Sequence, residues 1–220
     1  MNHKRTIKNT GVMLAIAAMT GVASASASTV ISEVLYDVSG SDSGNVFVEL
    51  FGTPGTVLDN MLLEGINGTN GNVYKTIMLT GVIPADGIFV IGDDDGSGNS
   101  QVLNTDMVAD VDFQNGPDSI VLRDSNGILD ALGYGDFSSS VFAGEGSAAV
   151  DANIGWSLAR IDPVNDTDNN FLDFLAIDIP TPGLVPASTV PVPPAAVLFL
   201  SGIAGLAGVS RRKRMKSMRG

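Results

Sequence analysis

The sequence predicts an all-β sandwich of about 155 residues, flanked by two segments of different character. Three observations carry this. Short β-branched and aromatic runs recur between clusters of Gly, Pro, Asn and Asp across residues 28–186. No segment sustains a 3.6-residue apolar period over ten or more residues. The 220-residue chain has no cysteine, so the core must form without disulfides. A stretch of about 155 residues can do so by burying roughly two-thirds of its unfolded surface.

In chain order, residues 1–27 read as a secretory signal peptide with a helical apolar centre. Lys4, Arg5 and Lys8 form a positive start, Gly11 to Met19 an apolar stretch, and Ala25-Ser26-Ala27 a small-residue cleavage site. The apolar stretch is shorter than the ~17–25 residues of a spanning helix, which argues against a permanent anchor at this end.

Strands are expected at Val30–Tyr36, Val46–Phe51, Val73–Leu79, Ile88–Gly92, Ser119–Arg123, Ile128–Tyr134 and Trp156–Ile161. Pro84-Ala-Asp-Gly87, Asp95-Gly96, Asn115-Gly-Pro117 and Ser125-Asn-Gly127 supply the turns. Asn126-Gly127 between two apolar runs is a hairpin signal, because both residues tolerate positive φ.

Residues 187–194 form a proline-containing linker that cannot be helix interior. Residues 195–210 follow as a short transmembrane helix, and its 15-residue apolar run Ala195–Val209 spans about 22 Å of a ~30 Å hydrocarbon core. Gly202, Gly205 and Gly208 give that helix a smooth stripe, open either to a second helix or to lipid. Residues 211–220 are a basic tail whose cluster Arg211, Arg212, Lys213 and Arg214 is expected to stay cytoplasmic, leaving the preceding domain outside.

Charge separates along the chain in the same way. All 24 acidic residues lie between Glu33 and Asp178, where the only bases are Lys75, Arg123 and Arg160, so the exported region carries 3 − 24 = −21. Nucleic-acid binding is disfavoured, since no Lys/Arg cluster exists there to meet phosphates. The single histidine is His3, inside the leader. A Ser-His-Asp triad, a cysteine nucleophile, a zinc–thiolate site and a His-ligated metal are thereby excluded from the mature domain.

Oxygen ligands remain. Asp93-Asp-Asp-Gly-Ser-Gly-Asn99 is the densest cluster, and Asp93, Asp95 and Ser97 are its candidate calcium ligands. It is not an EF-hand, because the twelfth position is Asn104 and no helices flank it. A solvated acidic hairpin tip after the strand Ile88–Ile91 is the plainer reading and is favoured. A second acidic stretch, Asp162 to Asp173, offers Asp166 and Asp168 as calcium ligands, against Asx-turns as the plain alternative. Glu33 and Glu49 sit mid-strand. They could form a general acid–base pair, but the stronger reading is that period-two alternation turns them to solvent or to a neighbouring base, Arg123 or Arg160. Trp156, Tyr36, Tyr74 and Tyr134 could stack on sugar rings, with core packing the plainer reading.

Two resemblances sharpen this. Val190-Pro-Val-Pro-Pro-Ala-Ala196, the apolar run and the arginine cluster together resemble the PEP-CTERM sorting signal of Gram-negative bacteria, in its VPLPA-like form with Val192 in the leucine position and Pro194 added. The resemblance implies recognition by an exosortase-type membrane protease, transient residence in the inner membrane, and release to the cell surface or an extracellular polysaccharide matrix. The sorting residues would be Val190, Pro191, Val192, Pro193, Pro194, Ala195 and Ala196. From Val30 to Gly183 the chain is similar to lamin-tail domains. Ile31-Ser-Glu-Val-Leu-Tyr-Asp37 followed by Phe47-Val-Glu-Leu50 matches their opening strands, Ile83–Ile91 a central strand, and Gly116–Tyr134 a late hairpin. Gly155-Trp-Ser-Leu-Ala-Arg160, Asp166-Thr-Asp-Asn-Asn170 and Thr181-Pro-Gly183 match the closing strand, acidic loop and terminal motif. Asn60-Met-Leu-Leu-Glu64 departs from the family pattern by lacking a tryptophan. The resemblance implies an immunoglobulin-like sandwich, in a family whose members bind partners, accompany secreted nucleases or have no known role. With no catalytic motif in the chain, a non-enzymatic structural or binding module is expected, and the acidic loops make calcium its candidate stabilising ion. The alternatives are a carboxylate-dependent hydrolase of extracellular polymers and a permanently anchored single-pass protein.

Overall fold

The computed structural model describes residues 29–137 and 141–184. The leader, linker, C-terminal apolar run, sorting residues Val190–Ala196 and basic cluster Arg211–Arg214 lie outside the described residues. Among those described, no helix is long and apolar enough to cross a membrane.

Among the described residues ten strands form two sheets: β1 (Val30–Leu35), β2 (Phe47–Phe51), β3 (Leu62–Asn67), β4 (Val73–Met78), β5 (Ile88–Asp93), β6 (Met107–Ala109), β7 (Asp118–Asp124), β8 (Gly127–Tyr134), β9 (Ser157–Arg160) and β10 (Phe174–Ile177). One sheet runs β10-β9-β1-β2-β5-β6 and the other β4-β3-β7-β8. Pairing is antiparallel except between β5 and β6. All seven expected strands form, and Asn126-Gly127 does close a hairpin, with Asp124 opposite Gly127. Asp124 Oδ1 stabilises that turn by accepting from the Asn126 and Gly127 amides.

Between the sheets lies the core of an all-β sandwich. Ile31 and Val34 of β1, Val48 and Leu50 of β2 and Phe89 and Ile91 of β5 meet Leu63, Ile120, Leu122 and Leu132 from the facing sheet. Tyr36 and Tyr134 stack inside it with ring centroids 4.4 Å apart. Strands β1, β2 and β5 are buried along their whole length, a pattern that needs cover on both faces. Their outer face carries a second apolar cluster, Val30, Leu35, Val46, Phe47, Phe51, Ile88 and Val90, with Val38 and Val102 packed against it. Beside it, Asp106 extends the hydrogen bonding of β5: its amide donates to the Val90 carbonyl and its carboxylate accepts from the Val90 amide.

Three strands escape the pattern reading. β6 and β10 have only three and four residues, too few for alternation to register. β3 starts two residues into the Asn60–Glu64 run, and Gly65 interrupts its apolar pattern. That glycine has a packing reason. A Cβ there would lie 2.6 Å from Tyr74 Cζ and 2.9 Å from Phe113 Cδ1, two rings that meet edge-on.

Candidate functional site

The chemistry-bearing residues are almost all carboxylates, and the fold sorts them into three groups. The first is the Asp93 loop. Asp93 ends β5 and is 2 % exposed. Its carboxylate accepts from the Gly44 amide at 2.8 Å, the Val111 amide at 2.9 Å and the Asp112 amide at 3.1 Å. Asp95 and Ser97 lie on the exposed tip, where Asp95 Oδ1 accepts from the Ser97 amide and Asp94 Oδ1 from the Gly96 and Gly98 amides. These bonds are Asx-type turn closures. The three residues expected to share an ion are therefore separated: Asp93 points inward and braces two loops, while the other two shape a turn.

The second group surrounds Arg160. This β9 residue is 3 % exposed. Its NH2 group donates to both oxygens of Asp130 at 2.8 Å, and its Nε to the Ile31 carbonyl at 2.9 Å. NH1 reaches Asp166 at 3.0 Å and Asp173 at 3.3 Å, and the guanidinium lies 4.6 Å from the Phe174 ring centroid. Asp130 belongs to β8 in the other sheet and also accepts from the Ile31 and Ala131 amides. One planar cation thus joins both layers and the loop before β10, a task suited to the fixed fork of arginine. Asn170 fixes the same corner: its side-chain oxygen accepts from the Gly133 and Glu145 amides, and its nitrogen donates to the Ala131 carbonyl.

Asp130, Glu145 and Asp166 converge here, each offering an oxygen within 4.8 Å of the others. Of the expected ligands only Asp166 takes part. Asp168 is exposed and closes a turn onto Asp166. Asp130 and Glu145 carried no sequence signal, because 15 and 21 residues separate successive members of the trio. Their type suits a hard divalent ion, but both Asp130 oxygens already accept bonds, and Arg160 supplies the positive charge. Glu145 Oε2 is buried without a hydrogen-bond partner. Burial, then the charges of Asp130 and Asp166, push the Glu145 carboxyl up to about 8. At neutral pH it is mainly protonated, which relieves the crowding of acids around one base. Burial drives Asp130 upward as well, against the pull of Arg160. For Asp173 burial acts upward too, but bonds from Thr167 and Asn169 outweigh it and leave the carboxyl below its ordinary range.

The third group is Glu33 and Glu49, opposite each other on β1 and β2. The register shifts between Ile31 and Glu33, so Ser32 is extra and its hydroxyl donates to Glu49 Oε1 at 2.7 Å. Both glutamates face the outer side of the six-stranded sheet, yet they meet neither solvent nor Arg123 nor Arg160, contrary to expectation. They are 3 % and 2 % exposed, covered by the segment after β10. Glu33 accepts from the Ser157 hydroxyl at 2.6 Å, the Thr181 amide at 2.8 Å and the Thr181 hydroxyl at 2.6 Å. Glu49 accepts from the Gly183 amide at 2.8 Å. Asn104 donates to the Pro182 carbonyl at 2.9 Å. Within the segment the Leu184 amide donates to the Thr181 carbonyl at 3.0 Å. With Pro182 second and Gly183 third at φ 75°, this is the signature of a type II turn. Burial pushes the Glu49 carboxyl up to about 7, against the bonds from Ser32 and Gly183. This segment, residues 181–184, is a strap across the sheet, and under it both glutamates are closed to a substrate.

The remaining expectations place simply. Tyr36 and Tyr134 are core residues, whereas Trp156 is 36 % exposed and precedes β9 rather than lying in it. All three bases between residues 29 and 184 have acidic partners: Lys75 with Asp110, Arg123 with Glu64 at 3.4 Å, and Arg160 as above. Beside the strap, Pro84, Asp86, Ile88, Asn104 and Gly183 line a pocket of ≈ 320 Å³. Comparison with known proteins found no matching family model, no matching curated protein and no matching solved structure.

Proposed function

We propose that this chain is an exported, non-enzymatic module of the lamin-tail type, an immunoglobulin-like sandwich carried to the cell surface or extracellular matrix of a Gram-negative bacterium. An exosortase-type protease would release it from the inner membrane at Val190–Ala196, with Arg211, Arg212, Lys213 and Arg214 holding the tail on the cytoplasmic side. Its role there is structural or binding, and extracellular polysaccharide is the partner class implied by that location. The observation that carries the reading is the order of proline motif, apolar run and basic cluster behind a domain that closes on Thr181-Pro182-Gly183. The residues matched to the lamin-tail pattern support it as braces of the fold: Glu33 and Glu49 hold the terminal motif, and Arg160 and Asn170 hold the acidic loop. None of them is left facing a cleft, which weighs against the hydrolase alternative.

Fractionating the exporting host tests the sorting step. Replacing Pro191 and Pro193 by alanine, or deleting the exosortase, is expected to trap the protein in the membrane fraction. Unchanged release rules the sorting step out.

A further inference from the structure

The strap crosses the sheet rather than following a strand. It leaves β10 at one edge, and between Thr181 and Gly183 it moves from Glu33 on β1 to Glu49 on β2. It ends beside Ile88 and Asn104, near the opposite edge. Four main-chain polar groups of the turn are engaged: Thr181 N–H and C=O, Pro182 C=O and Gly183 N–H. The proline has no N–H to satisfy. Glycine is required at 183 on two counts, its φ of +75° and the 2.5 Å that would separate an added Cβ from Asn104 Cβ. The contacts are polar, and the flanking Ile179 and Leu184 are 72 % and 59 % exposed. Little apolar burial holds the strap, so it can open without the sandwich opening.

Docking moves the point at which the chain leaves the domain. Seven residues lead from Gly183 to Val190, a contour of at most about 25 Å. From Ile177, the last residue of β10, thirteen residues lead to the same point, at most about 47 Å. A tether of at most about 25 Å keeps the folded domain close over the cleavage motif, where it competes for space with a membrane protease.

We propose that Glu33, Glu49 and Asn104 form a latch for Thr181-Pro182-Gly183, and that its closure slows cleavage at Val190–Ala196 by shortening the tether. This rests on the sorting reading above and adds its regulation. The latch recognises an uncharged hydroxyl–proline–glycine turn, here the chain's own.

The test uses the full chain in its exporting host, with the half-time of release as one readout and amide exchange at Thr181 in the purified protein as the other. Gly183→Ala is expected to speed exchange at Thr181 at least tenfold and shorten the release half-time at least twofold. Six Gly/Ser residues inserted after Leu184 should shorten release to the same degree with exchange unchanged, since they lengthen the tether under a closed latch. Faster exchange without faster release overturns the proposal, as does an inert insertion. Unchanged exchange in Gly183→Ala overturns the latch itself. If the Pro191 and Pro193 variants are also released normally, the sorting reading has failed, and the exchange data still report whether the latch exists.

Discussion

Glu33 and Glu49 stand opposite each other on adjacent strands, both almost fully buried, and each holds one end of the same Thr-Pro-Gly turn. Burial under this turn makes Glu49 a source of pH sensitivity. Burial raises Glu49 in the folded state to about 7 from 4.5. A carboxyl raised in this way gives stability that is complete below about 4.5 and lost as pH rises through about 7. The shift corresponds to at most about 3 kcal/mol. Glu145, raised to about 8 by burial, acts in the same direction at higher pH. Urea melts are expected to show highest stability near pH 5 and a fall towards pH 8. Glu49→Gln should flatten the Glu49 part, since an amide can accept from Gly183 and donate to Ser32. A stability that rises from pH 5 to 8 contradicts the assignment.

Arg160 supports a second prediction. Its removal leaves Asp130 buried between the sheets with its main cation gone. Breaking a buried pair in this way costs about 3–5 kcal/mol. Arg160→Met should lower the unfolding free energy by that amount. The double variant with Asp130→Leu should recover part of it, because no uncompensated charge remains. A double variant no better than the single would mean that the Ile31 and Asp166 contacts, not the ion pair, carry the cost.

Strand content was legible because β1, β2, β5, β7 and β8 are built from β-branched and aromatic runs with clear turns between them. The site was much less so. The burial of Glu33 is not legible in the sequence, because alternation says which face a side chain takes, not what covers that face, and its cover comes from Thr181, 148 residues on. Asp93 looked like a metal ligand because three successive aspartates share one loop. Only tertiary pairing with Gly44 and Val111 shows its oxygens to be committed already. Arg160 could not be paired from sequence, since Asp130, Asp166 and Asp173 reach it from three different segments.

Calcium gives a third prediction. Asp93 and Asp130 already accept multiple bonds, and Arg160 sits against the only converging trio found among the described residues. Millimolar calcium is therefore expected to leave the melting temperature of the domain unchanged relative to magnesium. A calcium-specific rise that disappears in Glu145→Gln would show instead that Glu145, Asp130 and Asp166 bind the ion.

The three tyrosines give the last. Tyr36 donates to Asp151 at 2.8 Å and accepts from the Ala152 amide at 2.7 Å, and Tyr134 donates to the Gln114 carbonyl at 2.6 Å. Tyr74 accepts from the Gln114 amide at 3.0 Å. Burial pushes all three phenols well above their ordinary value. A phenol raised on folding gives stability that is present below about pH 10 and lost as pH climbs beyond it. These are the only tyrosines in the chain, so an absorbance titration reads them without background. No phenolate should form on the folded domain through pH 10. At higher pH the phenolate signal should rise together with the loss of β circular dichroism, as unfolding releases the rings. A phenolate step worth one tyrosine or more near pH 10, with the dichroism intact, would show that at least one of these hydroxyls is open to solvent.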